Sequence, residues 1–165
     1  MLIIRNEKES DHRIVEELTR KAFYNLYIPG CVEHYLVHHM RGHEDFIPEL
    51  DFVAELDGQI IGNIMYTKAK LTDEQGVKKD ILTFGPVCIA PEHQRKGFGK
   101  ALMVKELKEG VLDGRRWFYT YSPVMDLDAQ EVQNYDSTLE PLEKKYLPSQ
   151  DEFYIMSHSF VEDEE

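Results

Sequence analysis

The chain has 165 residues, 42% of them hydrophobic and 30% charged, with a formal net charge of −12; this is the composition of one soluble globular domain with a sizeable core. No apolar run approaches transmembrane length, and the opening Met1-Leu2-Ile3-Ile4-Arg5-Asn6-Glu7 is too short and too soon acidic for a signal peptide. The acidity argues against a broad nucleic-acid face, which needs basic charge, and two cysteines, Cys31 and Cys88, make no disulfide framework, so a reducing, cytoplasmic setting is the simplest reading.

Leu2-Ile3-Ile4 reads as a first short strand. Ser10 or Asp11 suits a helix N-cap, and Ile14, Leu18 and Ala22, joined by Val15 and Phe23, form a helical apolar stripe to about Tyr24. Pro29-Gly30 punctuates the chain. Cys31 to Arg41 reads as a second helix, with Val32, Tyr35, Leu36 and Met40 on its apolar side. Asp51 to Leu56 is a strand. Asp57-Gly58 is a hairpin turn signal, and Gln59 to Leu71 is the returning strand. A second turn over Asp73 to Gly76 leads into a strand from Lys78 to Ile89. Pro86 cannot donate a ladder hydrogen bond, so it marks a bulge or an edge there.

The stretch from Thr83 to Met103 carries the chemistry. A β-leaning run stops at Ala90-Pro91; after a short polar loop come Gln94, Arg95, Gly97 and Gly99, then Ala101, Leu102 and Met103. This is strand, glycine turn and helix start. First-turn N–H groups lack intrahelical partners and carry the positive end of the macrodipole. Arg95, Lys96 and Lys100 add full charge. The reading is a phosphate or pyrophosphate cradle. It is not a Walker loop, because Gly99-Lys100 is followed by Ala101 and Gln94 stands where the first glycine belongs. It is not the dinucleotide fingerprint, because the third glycine position holds Leu102.

What remains, V-C-I-x-P-x-x-Q-R-K-G-F-G-K-A-L, resembles the acetyl-CoA signature of the GNAT superfamily of N-acetyltransferases, (Q/R)-x-x-G-x-(G/A) after a strand. The resemblance implies a mixed α/β (α+β) fold with a mostly antiparallel central sheet flanked by helices. The order β-α-α-β-β-β-α up to the cradle fits its first half. It implies acetyl-CoA as cofactor, an amine as acceptor, and direct transfer of the acetyl group. It assigns cofactor contacts to Val87, Cys88 and Ile89 on the strand edge and to Gln94, Arg95, Lys96, Gly97, Phe98, Gly99 and Lys100 in the cradle. It also places the first two helices beside the acceptor.

After Lys100 the likeness stops. The family's fifth strand, short fourth helix and tyrosine near an x-x-G-F motif find no match, so the domain reads as shortened, spanning residues 1–121 with an acidic C-terminal extension over 122–165 packed on or beside it. A helix from about Gly97 to Lys108 completes the cradle. Arg116 to Tyr121 is an aromatic strand candidate, and Asp128 caps a helix reaching to about Leu139. Pro141 and Pro148 bracket a polar linker. Glu152 to Phe160 reads as a last strand or docked segment.

Acetyl transfer needs the thioester beside a neutral amine, a donor for the developing oxyanion, and proton acceptors and donors in place. Candidates for the base are Glu49, Glu55 and His38. His34 with His38 and His39 with His43 have i, i+4 spacing, but no H-E-x-x-H accompanies them, and the reading assigns no metal. Cys88 is a small buried strand residue rather than a nucleophile, and Trp117, Phe118, Tyr119 and Tyr121 pack a core or line a pocket. The acidic surface suits an amine-bearing partner; no nucleic acid and no membrane are expected. The alternative is a shortened, non-catalytic relative that binds CoA or acts through protein partners. A shortened sheet with an exposed edge leaves a homodimer open.

Overall fold

The structure is a computed structural model that describes residues 1–102 and 117–158. Its elements in chain order are β1 (Leu2–Asn6), α1 (His12–Phe23), α2 (Glu33–Met40), β2 (Phe52–Leu56), β3 (Gln59–Asp73), β4 (Lys78–Ile89), α3 (Phe98–Leu102), β5 (Trp117–Thr120), α4 (Ala129–Asp136) and α5 (Pro148–His158). The five strands form one antiparallel sheet in the order β1-β2-β3-β4, with β5 on β3. β3 is long enough to serve two neighbours on one side. Its first half pairs with β2, and Lys70 to Asp73 pair with β5. Because β4 already occupies the other side of Lys70 to Thr72, β5 lies on the β2 side. Among the described residues, nothing pairs with the outer edge of β4.

Two hydrophobic layers hold the sheet. Alternation along a strand sends successive side chains to opposite faces. On one face Val53 and Met65 meet Val15 of α1 and Val37 and Met40 of α2, all fully buried. Each such side chain contributes about 1.5–3 kcal/mol by burial. On the other face Ala54, Ile64 and Leu102 pack with Val87 and Ile89, so α3 sits there. Gly62 of β3 is the point of closest approach. A Cβ on it would stand 2.9 Å from the carbonyl oxygen of Cys88, 2.5 Å from Ile89 Cδ1 and 3.1 Å from Leu102 Cδ1, so glycine here lets β4 and α3 pack closely on β3.

Several expectations change in detail. Ile14 does not join the buried stripe of α1 but is 50% exposed; the stripe runs through Val15, Leu18 and Thr19 instead. Of the two readings of Glu152 to Phe160, a last strand or a docked segment, the strand is not found among the described residues: α5 runs from Pro148 to His158. Proline at the first helical position is pre-set for a helix, and the ring of Phe153 stacks on Tyr27 at 4.3 Å between centroids rather than entering the sheet. The cradle helix is described to Leu102, and its expected continuation to Lys108 lies outside the described residues, as does Arg116.

Candidate functional site

The site begins where β4 ends. The N–H of Ala90 donates to the carbonyl of Ile61 at 2.8 Å, so Ala90 faces β3. By the alternation of an antiparallel ladder, Cys88 faces β3 as well, and Val87 and Ile89 turn their N–H and C=O groups to the open edge. The side chain of Gln94 donates to the carbonyl of Ile89 at 3.1 Å and ties the loop to the strand end. Opposite Gly85 and Pro86 the β3–β4 register shifts between Ile64 and Tyr66, the bulge that Pro86 announced.

Between strand and helix the loop turns through two left-handed residues, Arg95 at φ +59° and Gly97 at φ +88°. Glycine takes that conformation without steric cost. A Cβ at Gly97 would meet nothing within 4 Å, so the space beside its backbone is open. Arg95, Lys96 and Lys100 stand exposed around it. Phe98 points back over the loop, its ring 6.0 Å from that of His93. The arrangement is an unobstructed backbone corner ringed by positive charge, next to a strand edge with free donors. That donor set fits a long ligand with a polyanionic head and an amide-rich arm.

A second feature lies on the α2 side of the sheet. A cavity of about 400 Å³ is lined by Phe23, Leu36, Pro86, Tyr119 and Tyr121, with Glu33 as the one charged residue among the described lining. It borders β4 at Thr83 to Pro86, just before the open N–H groups of Val87 and Ile89.

A sequence model described as an acetyltransferase (GNAT) domain matches residues 49–133, more than half of the chain. The protein belongs to the GNAT acetyltransferase family. The likeness extends to solved structures. A GNAT family acetyltransferase from Brucella melitensis, in complex with acetyl-CoA, shares 20% identity over 76% of this chain and 99% of that one, with a TM-score of 0.57. The loading GNATL domain of CurA from Lyngbya majuscula shares 19% identity over 92% of each chain at a TM-score of 0.44. The ribosomal-protein-S18-alanine N-acetyltransferase from Escherichia coli shares 16% identity over 62% of this chain and 54% of that one at 0.42. No curated protein matches significantly. The Brucella structure shows the shared GNAT fold.

The three candidates for the base lie on β2, just before it, and on α2. Glu55 is on β2 and accepts a hydrogen bond from Arg5 Nε at 2.8 Å. Glu49 is exposed, just before β2, and the carbonyl next to its side chain accepts from Asn6. His38 is half exposed, 3.1 Å from Glu16 and stacked on Tyr135 at 4.6 Å. Among the described residues no group of three or more His, Cys, Asp or Glu side chains gathers around the histidine pairs. His34 is fully buried with Nδ1 3.2 Å from Cys31 Sγ and Nε2 3.5 Å from Asp136; burial pushes its pKa down to about 4. Burial likewise pushes the Cys31 thiol up to about 12. Cys88 packs under α1, its sulfur 3.6 Å from Thr19 Oγ1, and its thiol is pushed up to about 11 by burial, which suits packing and not attack. Glu33 escaped the sequence reading. Its only signal was an acidic residue at a helix start, which ordinarily serves the dipole alone.

Proposed function

We propose that this protein transfers the acetyl group of acetyl-CoA to an amine by direct attack. The observation that carries the reading is the edge of β4, with the N–H groups of Val87 and Ile89 unpaired among the described residues, running straight into the positive-φ corner at Gly97. In this reading the backbone from Gln94 to Lys100 and the charges of Arg95, Lys96 and Lys100 hold the diphosphate, where helix-start donors and fixed cations act together. The free strand edge accepts the amide-bearing arm in the manner of an added strand. Bound there, acetyl-CoA supplies an activated thioester. The chain supplies orientation and, at Val87 or Ile89, an N–H aimed where negative charge develops; such a preorganised donor contributes several kcal/mol in a shielded site. The two free cysteines, both buried, agree with a cytoplasmic setting.

Isothermal titration tests the reading. Acetyl-CoA should bind the full chain, and Gly97→Val should weaken that binding about tenfold or more, since a β-branched residue at φ > 0 is strained and its methyl groups enter the open corner. No heat of binding at high micromolar acetyl-CoA would refute the assignment.

A further inference from the structure

The cavity beside β4 has a lining that specifies more than an amine. Five shielded carboxylates elsewhere in the molecule pair with arginines. Asp11 lies 2.6 Å and Glu55 2.8 Å from Arg5, Glu7 and Glu16 lie 2.8 and 2.7 Å from Arg41, and Asp136 lies 2.9 Å from Arg20. Glu33 has none among the described residues. One of its oxygens accepts a hydrogen bond from the backbone N–H of Val32 at 3.0 Å, and among the described residues no basic side chain pairs with it. It is half-buried at the start of α2, and desolvation raises its pKa. A carboxylate held partly out of water without a cation is unfavourable, and a ligand ammonium entering the cavity would supply a counter-charge.

The remaining walls say what that ammonium must be attached to. Phe23, Leu36, Pro86 and Met125 are apolar, and the phenol rings of Tyr119 and Tyr121 close one side, 6.4 Å apart. Tyr121 is steadied by donating to Asp126 Oδ1 at 3.2 Å. The volume is at the small end of the range for small-molecule pockets, about 300–1,000 Å³. A long hydrophilic polyamine would leave its other charges against apolar wall; an apolar or aromatic body would fill it.

We propose that this cavity is the acceptor site, and that it takes a primary amine on a compact apolar or aromatic body, with the ammonium paired to Glu33 and the body held against Phe23, Leu36 and Tyr121. This rests on the acetyltransferase reading for its role, but not for its binding chemistry. The cavity borders β4 immediately before Val87, so an amine on Glu33 sits on the side of the strand from which an acyl group held along its edge can be reached.

The test is calorimetric titration of 2-phenylethylamine into the full chain, with and without CoA. Glu33→Gln should weaken binding at least about tenfold, the loss of a charge-assisted contact. Tyr121→Ala, at a 48% exposed residue, should weaken it about threefold or more without disturbing the fold, the loss of one aromatic wall. The neutral isostere 2-phenylethanol should bind wild type at least about tenfold more weakly than the amine, for want of the charge pair, and should not distinguish wild type from Glu33→Gln. Equal amine affinity in wild type and Glu33→Gln, tighter binding of spermidine than of 2-phenylethylamine, or no amine binding with or without CoA would each overturn the proposal. Acetyl-CoA is titrated separately into both proteins. Unchanged cofactor affinity in Glu33→Gln supports the assignment of Glu33 to the acceptor. Amine binding by a chain that fails to bind acetyl-CoA would uphold the pocket while refuting the transferase reading.

Discussion

At single residues, the chemistry turns on which charges are neutralised and by what. Asp51 is 4% exposed between Asn63, whose Nδ2 donates to it at 2.9 Å, and Glu7, whose own carboxylate is clamped by Arg41 at 2.8 and 3.0 Å. Burial, and then the neighbouring Glu7, raise the Asp51 pKa well above its ordinary value near 4. The folded protein therefore holds a proton there that the unfolded chain has released. The sign follows: stability from this group is fully present below about pH 4 and is lost as pH rises through neutrality toward the raised value, by up to about 1.4 kcal/mol per pH unit. Asn at this position would keep both hydrogen bonds, its NH2 donating to Glu7 and its oxygen accepting from Asn63. Asp51→Asn should accordingly flatten the fall of stability between pH 6 and 8, read by urea denaturation at each pH; equal slopes in both proteins would contradict the shared proton. Burial of His34, with its pKa lowered to about 4, acts in the opposite sense between about pH 4 and 6.5, so the comparison is between wild type and variant. None of this was legible in the sequence. Glu7, Asp51 and Glu33 look like ordinary surface carboxylates until strands and helices far apart in the chain close over them.

Among the elements, β4 matters most. Its bounds were readable because the signals are local: a turn at Asp73 to Gly76 before it, an apolar run within it, and Ala90-Pro91 after it. The hairpin turn at Asp57-Gly58 and the Asp128 cap, which accepts from the N–H groups of Gln130 and Glu131 at 2.9 Å, were readable for the same reason. Pairing was not. The aromatic strand β5 joins β3 on the β2 side because β3 is 15 residues long and outruns β2, a length comparison no local pattern carries. The segment after Pro148 stayed open between a last strand and a docked segment because a short apolar run fits strand and helix alike, and the proline at the helix start was the better guide. The outward direction of the Val87 N–H gives an element-level prediction. Val87→Pro removes a donor from the open edge while the ladder bonds of Cys88 and Ala90 to β3 stay in place. Acetyl-CoA affinity should fall several-fold, on the scale of one lost hydrogen bond, about 0.5–1.5 kcal/mol, and circular dichroism should show an intact fold. Undiminished affinity would place the cofactor elsewhere.

For the whole molecule, the described residues beyond β5 are tied to the helical face. Arg20 of α1, 6% exposed, reaches Asp136 at 2.9 Å and the carbonyl of Glu140 at 2.7 Å. Tyr24 donates to the carbonyl of Leu142, and Asn25 donates to that of Glu143 and accepts from the N–H of Lys145, all at 2.9 Å. Tyr135 donates to Glu16 at 2.5 Å, which joins α4 to α1. Residues 128–153 thereby brace α1 and α2, the two helices that wall the cavity holding Glu33. Arg20→Ala removes the nearer of two cations on the Asp136 carboxylate, leaving Lys144 at 3.5 Å, and should cost about 2–4 kcal/mol. That corresponds to a fall in Tm on the order of 10 °C for a chain of this size, measured by calorimetry; a change of a degree or two would mean that the brace contributes little. The strong net charge of −12 makes the exposed cluster of Arg95, Lys96 and Lys100 a local exception, and binding of an anionic cofactor there should weaken as salt is raised.

The most direct measurement is the amide nuclear magnetic resonance spectrum of the full chain titrated with acetyl-CoA. The largest shifts should fall on Val87 and Ile89 along the open edge and on Gly97 to Lys100 at the turn, with the β1–β2 edge unmoved. Shifts confined to β1, β2 or α4, or no shifts at millimolar acetyl-CoA, would contradict the placement of the cofactor along β4.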